Sequence, residues 1–296
     1  MEIFWQGWSR LLGVLERGCD PRALREGVVS TAGDLARIEL RRRPEETPLV
    51  LLTGEIFVRH DDLSRQWIVE RLADEGFAVK VSSAMEWIYY TDWCYANRMT
   101  ADDISVRQWL QLMLRQAVMR RQERILKGLL RPSGLFHYRR EDVDRLIDGV
   151  RHLLSPRLVG EAILTVGAAL TEVLEDYCGV IAIGPFGCMP NRIAEAILSR
   201  EMNREGKGAL KANSPKVRRI LERFDHLPFL AVESDGNPFP QIVTARLETF
   251  LLQARRVHEA MVSGTLLTTY ANSKGWRDEE ASDRRVRKRS QQRPSQ

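Results

Sequence analysis

GVIAIGPFGCMPNRIAEAIL, residues 179–198, is the stretch on which the fold turns. Gly179 to Ile183 is a short continuous apolar run, the mark of a strand covered on both faces. Gly184 to Met189 reads as a loop, and a helix follows from Pro190 to about Arg204, with the proline suited to a first helical turn. The same pattern recurs on either side. Pro48 to Thr53 (PLVLLT) predicts a strand, Gly54 to Asp62 a loop, and residues 65–75 a helix capped by Ser64 with Trp67, Ile68 and Leu72 as its buried stripe. Phe77 to Val81 is a further strand, and Pro228 to Val232 another, running through the loop Glu233–Asn237 into a long helix over 238–261. Strands that alternate with helices imply parallel pairing and right-handed crossovers, so the expected class is α/β with an open parallel sheet.

Helical patterns fill the rest. Residues 2–17 and 21–42 predict two N-terminal helices, with Ile3, Phe4, Leu11, Leu12 and Leu15 as the stripe of the first. Residues 84–156 form a helical insertion between the halves of the sheet. It opens with the aromatic-rich stretch 84–97 and continues in a helix over about 102–130, whose apolar side is Ile104, Trp109, Leu110, Leu114, Val118 and Ile125. Residues 205–217, rich in Gly and Lys, are expected to be mobile. The organisation expected is a helical segment over 1–46, an α/β domain over 47–262, and a basic, disordered tail over 263–296.

Composition narrows the functional classes. Of 296 residues, 44% are hydrophobic and 29% charged, an ordinary globular balance that excludes wholesale disorder and fibrous classes. No apolar run approaches the ~18 residues that cross a bilayer, and the first residues lack a basic leader, so a cytoplasmic protein without a membrane partner is expected. The formal charge is +5, and residues 275–296 carry seven basic and four acidic residues, so most of the excess sits at that end. The body carries no nucleic-acid footprint, and nucleic acid is an unlikely partner.

In open parallel sheets, ligands sit at the carboxyl ends of the strands. Three loops share that edge. The loop 184–189 presents Cys188 beside a helix N-terminus, where free N–H groups and the helix dipole favour a thiolate, with Gly184 and Gly187 allowing close backbone curvature. A metal ligand, a cluster ligand or a nucleophile fits there; so does a buried small residue in a strand–helix turn. The loop 233–241 supplies Glu233, Asp235 and Asn237, which suit helix capping, hydrogen bonding or a cation. The loop 54–62 offers Glu55, Arg59 and His60. Arg59 is placed to pair with a phosphate or the acidic loop, and His60 reads as a satisfied edge histidine. No P-loop and no G-x-G-x-x-G follows a strand. Among the four cysteines, Cys178 precedes the strand 179–183 and lies at the opposite edge from Cys188. Cys94 shares the edge of Cys188, and Cys19 lies between the N-terminal helices.

Five segments carry a resemblance: LLTGEIFVRHDDLSRQWIVERL (51–72), EWIYYTDW (86–93), GEAILTVGAAL (160–170), residues 179–198, and PFLAVESDGNPFPQIVTARLETFLLQA (228–254). Together they resemble the C-terminal part of the acyl-CoA dehydratase activase-related proteins, which is similar to the iron–sulfur component of 2-hydroxyacyl-CoA dehydratases. The resemblance implies Rossmann- or flavodoxin-like lobes and a [4Fe-4S] cluster held by cysteines at strand ends. It also implies an ATP-hydrolysing activase that supplies low-potential electrons. Cys188 maps to a cluster ligand, with Gly184, Pro185, Phe186, Gly187, Met189, Pro190 and Asn191 as its loop. The upstream cysteine-bearing half of such proteins is expected as a separate chain, since residue 48 already begins the first strand. The expected role is an iron–sulfur redox component of an acyl-CoA dehydratase or reductase system, incomplete alone. The alternative is an interaction module without a cluster that docks an activase or dehydratase partner.

Overall fold

A computed structural model describes residues 2–18, 20–99, 105–135, 141–210, 213–236, 241 and 243–263. Four strands form one sheet: β1 (Leu49–Gly54), β2 (Ala78–Val81), β3 (Gly179–Pro185) and β4 (Phe229–Ser234). Their order is β2-β1-β3-β4 and every pairing is parallel, which makes the chain an open parallel-sheet α/β protein. The register sets Gly54 beside Ile183 and Gly184 beside Glu233, so the carboxyl ends of the three long strands share one edge. The connections diverge to opposite sides after β1 and β3, and the switch point of the topology lies between those two strands.

The helices are α1 (Glu2–Glu16), α2 (Pro21–Ala36), α3 (Ile68–Asp74), α4 (Ala84–Ala96), α5 (Val106–Leu130), α6 (Val143–Val150), α7 (Ala162–Glu172), α8 (Met189–Glu201), α9 (Arg204–Gly208), α10 (Pro215–Leu221) and α11 (243–263). On one face, α3 and α11 meet beside the sheet: Arg71 donates to Thr244 Oγ1 at 3.0 Å, and Gly179 leaves room for the Phe250 ring. Right-handed crossovers carry α7 and α8 to the other face. Residues Ala162 to Thr171 of α7 are all buried, which fits a helix of small apolar residues clamped between sheet and α6. Gly167 makes that fit possible, because a Cβ there would stand 2.7 Å from the Leu146 carbonyl oxygen.

Several expectations are corrected. The helix after β1 begins at Ile68, not 65; Gln66 and Trp67 both have left-handed backbone, and Trp67 is exposed rather than part of the stripe. Ser64 caps nothing there, since its N–H donates to Asp61 Oδ2 at 2.8 Å and closes a turn instead. In α1 the buried residues are Gly7 and Val14, while Phe4, Leu12 and Leu15 are exposed. The small side won because Gly7 admits Thr31 of α2, whose Cγ2 would lie 2.7 Å from an added Cβ. In α5 only Leu112 is buried; Trp109, Leu110, Leu114 and Val118 face outward, and Ile104 lies outside the described residues. The described part of 205–217 is packed, not loose. Lys207 is fully buried and donates to the Leu170 carbonyl at 2.5 Å, neutralising the carbonyl end of α7. Cys19 and the basic tail from 264 onward lie outside the described residues.

The β1–β3 join tolerates no side chain at Gly54. Its φ is +112°, and a Cβ would lie 2.0 Å from the Ile183 carbonyl oxygen. Gly54→Ala is therefore expected to cost on the order of 4 kcal/mol in urea unfolding. A loss below about 1 kcal/mol would show that the two strands separate easily at this point.

Candidate functional site

The edge is built from the backbone first. Glu55 N–H donates to the Ile183 carbonyl at 2.8 Å, tying the loop after β1 to the end of β3. Phe186 N–H donates to the Ser234 carbonyl at 2.9 Å, tying the loop after β3 to β4. Glu233 reaches back over that loop: its carboxylate accepts from Gly187 N–H at 3.4 Å and from Arg192 at 2.6 Å. Glu233 therefore holds the Cys188 loop; the start of the following helix lies outside the described residues. Asp235 is exposed at the end of β4, and Asn237 lies outside the described residues.

Cys188 is the N-cap residue of α8, with Pro190 in the first turn. Its thiol is half-buried, its N–H donates to the Pro185 carbonyl at 3.1 Å, and its own carbonyl accepts from Arg192 N–H at 3.0 Å. Phe186 and Met189 on either side are exposed, as is Phe57 on the loop after β1. Gly160 approaches from the α7 side, where a Cβ would stand 3.8 Å from the Pro190 ring. Gly160 N–H in turn donates to the buried Tyr90 hydroxyl at 2.9 Å.

Beneath this rim lies a buried polar layer. Arg59 is 2% exposed, so it meets neither a surface phosphate nor the acidic loop. Its guanidinium donates to the Gly54 carbonyl at 2.6 Å and the Ser83 carbonyl at 3.3 Å, pinning the end of β1 to the start of α4. Glu55 turns back to accept from Val58 N–H at 2.8 Å, and Glu161 accepts from Ile56 N–H at 3.0 Å. Burial pushes the Glu161 carboxyl up, opposed by the Ile56 hydrogen bond and reinforced by the Glu55 charge. Glu86 of α4 is buried too. Desolvation raises its carboxyl to about 7 against the pull of Arg59, with Glu141 and Glu172 adding to the rise. His60 is an exposed edge histidine whose Nδ1 lies 2.7 Å from the Ile56 carbonyl oxygen.

Among the described residues, buried polar atoms without a partner at this end of the sheet include Thr53 Oγ1, Arg59 Nε, both amide atoms of Gln66, Glu86 Oε1 and both amide atoms of Asn191. Thr53, Ala182 and Gly184 share one face by register, and the Asn191 side chain fills the space a Cβ on Gly184 would need. Gln66, Glu86, Glu161 and Thr53 belong to no functional motif in the sequence. Glu86 carries a signal there, as one of two acids, with Asp92, in an aromatic helical run.

A [4Fe-4S] cluster needs about three or four thiolates. Among the described residues no three of His, Cys, Asp and Glu come together to hold a metal ion. Cys94 is buried in α4, where desolvation raises its thiol and Tyr90 hydrogen-bonds it. Cys178 is buried at the opposite edge, its sulfur 3.3 Å from the Leu49 carbonyl oxygen, and burial pushes its thiol up to about 12. The described residues do not fit a cluster held by this chain alone. No described helix is long and apolar enough to cross a membrane. Comparison with protein-family models, curated proteins and solved structures finds no match.

Two outcomes follow from this burial. In a Cys19→Ser chain, one thiol is expected to react promptly with a disulfide reagent near neutral pH, and mass mapping should place it at Cys188. Early labelling of Cys94 or Cys178 would contradict their burial. For Glu86, the unfolded chain ionises above the ordinary value of 4.5 while the folded chain stays protonated up to about 7. As pH rises from about 5 to about 7 the chain is thus expected to lose stability on the order of 2 kcal/mol, levelling off above that, and Glu86→Gln retains it. Parallel pH–stability curves for the two chains would contradict that assignment.

Proposed function

We propose that this chain is one α/β lobe of an acyl-CoA dehydratase or reductase activation system, and that its carboxyl edge docks a second, cysteine-bearing α/β body. The observation that carries the reading is the make-up of that edge. Exposed Phe186 and Met189 flank a half-buried Cys188, and Phe57 is exposed on the loop after β1. Exposed apolar side chains beside a crevice mark a surface that is covered in use. The five motifs resembling the dehydratase components point the same way. In this reading the lobe positions its partner and holds no cluster itself.

A second reading is favoured by the half-exposed thiol of Cys188 at the start of α8. Here Cys188 gives one ligand to a [4Fe-4S] cluster whose other thiolates belong to the second body, and the chain is an iron–sulfur redox component served by an ATP-hydrolysing activase. The cluster would supply the electron-transfer chemistry. The residues of this chain would orient one ligand, through Glu233, Arg192 and the Gly187 turn.

Anaerobic purification of this chain, alone and mixed with a cysteine-bearing dehydratase component and its activase, separates the readings. The chain alone is expected to bind iron well below one cluster per molecule. A stable complex without iron supports docking. A complex whose iron and sulfide are lost in Cys188→Ser supports the redox reading. The absence of any complex overturns both.

A further inference from the structure

A cavity of about 520 Å³ opens beside the last turn of α7, at the end away from the carboxyl edge. α7 leaves that edge at Glu161, which accepts from Ile56 N–H, and Thr171 stands about 15 Å further along the helix. Arg145 and His152 line the cavity from the α6 side, Thr171 from α7, and Ala209, Leu210 and Asn213 from the connection between α9 and α10. It shares no residue with the carboxyl edge, so its use does not depend on what that edge docks.

The walls are held in place from within. Lys207 is fully buried and fixed to the Leu170 carbonyl, and the Asn213 amide donates to the Lys207 carbonyl at 2.5 Å. The α9–α10 side is thereby tied to the end of α7. On the other side Gly149 lets α6 close on α7, since a Cβ there would stand 2.7 Å from Thr171 Cγ2. Arg145, one turn earlier on the same helix face, donates to the Thr171 carbonyl at 3.3 Å. Concave sites of about 300–1,000 Å³, apolar with a few convergent polar groups, are the ordinary form of small-molecule sites.

Charge selects the ligand. The bond to Thr171 uses part of the Arg145 fork, and no acid pairs with this guanidinium among the described residues. Asp148, the acid on this wall, pairs instead with Arg151 at 3.0 Å. Thr171 is 6% exposed, and its Oγ1 has no partner among the described residues. A planar guanidinium with free donors matches a carboxylate. One guanidinium balances one negative charge, and Asp148 disfavours a second. Gly149, Ala209 and Leu210 offer the rest of a ligand only apolar surface. We propose that this cavity binds a small monocarboxylate with an apolar body, its carboxylate on Arg145 and its body against Ala209 and Leu210.

The test is calorimetric titration of the full chain with benzoate, set against benzyl alcohol, phthalate and inorganic phosphate. Benzoate is expected to bind with a dissociation constant below about 1 mM, and each of the other three at least about tenfold more weakly. Arg145→Met is expected to weaken benzoate binding at least about tenfold, with Arg145→Lys between it and the parent chain. Because Arg145 also holds the end of α7, a second variant leaves it in place. Ala209→Phe, at an exposed position, fills the cavity and is expected to remove benzoate binding with an unchanged circular dichroism spectrum. Benzoate bound equally by the parent chain and by Ala209→Phe overturns the proposal, as does no binding up to about 10 mM. Phosphate, phthalate or benzyl alcohol binding as tightly as benzoate also overturns it, showing a site for another chemistry.

Discussion

The contact between Gly54 and Ile183 governs the rest of the molecule. It is a backbone-to-backbone approach at the one place where neighbouring strands send their chains to opposite faces. The φ of +112° at Gly54 turns β1 across the end of β3, and the Glu55 N–H closes on the Ile183 carbonyl. Once the two ends are joined, the loops beyond them cannot drift apart. Arg59 fastens the arrangement from below by donating to the ends of both β1 and α4's leading turn. Glu233 and Arg192 fasten it from the β4 side. The crevice at the carboxyl edge is thereby a preorganised surface rather than a set of independent loops.

Depth sorts the chemistry at and around that edge. The three described thiols have the same functional group and different surroundings. Cys178 lies under the sheet's amino edge and Cys94 lies inside α4, and burial disfavours the thiolate in both. Cys188 stands at the rim, on a loop whose shape is held by a neighbouring strand. The carboxylates divide similarly. Glu55 and Glu233 spend their charge on backbone N–H groups of the loops, whereas Glu86 sits where its ionised form is poorly solvated. The unpartnered amides of Gln66 and Asn191 are also buried.

The N-terminal helices and α5 follow a different logic. Their core sides are set by small residues and by ion pairs, not by the largest apolar side chains. Gly7 admits Thr31, and Asp92, Glu123 and Tyr89 anchor α5 to α4 through charge. The bulky residues of α1 and α5 are left outside, where only another surface can bury them. A reading that assigns the most hydrophobic stripe to the interior inverts both helices, because hydrophobicity identifies a face to be covered but not the body that covers it.

What the sequence by itself determined is the alternation of short apolar runs with helices, hence a parallel sheet, the shared edge of the loops after residues 54, 184 and 234, and the placement of Cys178 and Cys188 at opposite ends of one strand. These follow from local rules: a strand of fixed rise, a helix that starts at a proline, a crossover of one hand. Only the tertiary structure decided that Arg59 is interior, that Lys207 closes the end of α7, that Thr53, Gln66, Glu86 and Asn191 form a buried polar layer, and that the apolar row of α5 faces out. Each of these depends on which distant element arrives to exclude water, and residues far apart along the chain carry no mark of the neighbour that will bury them.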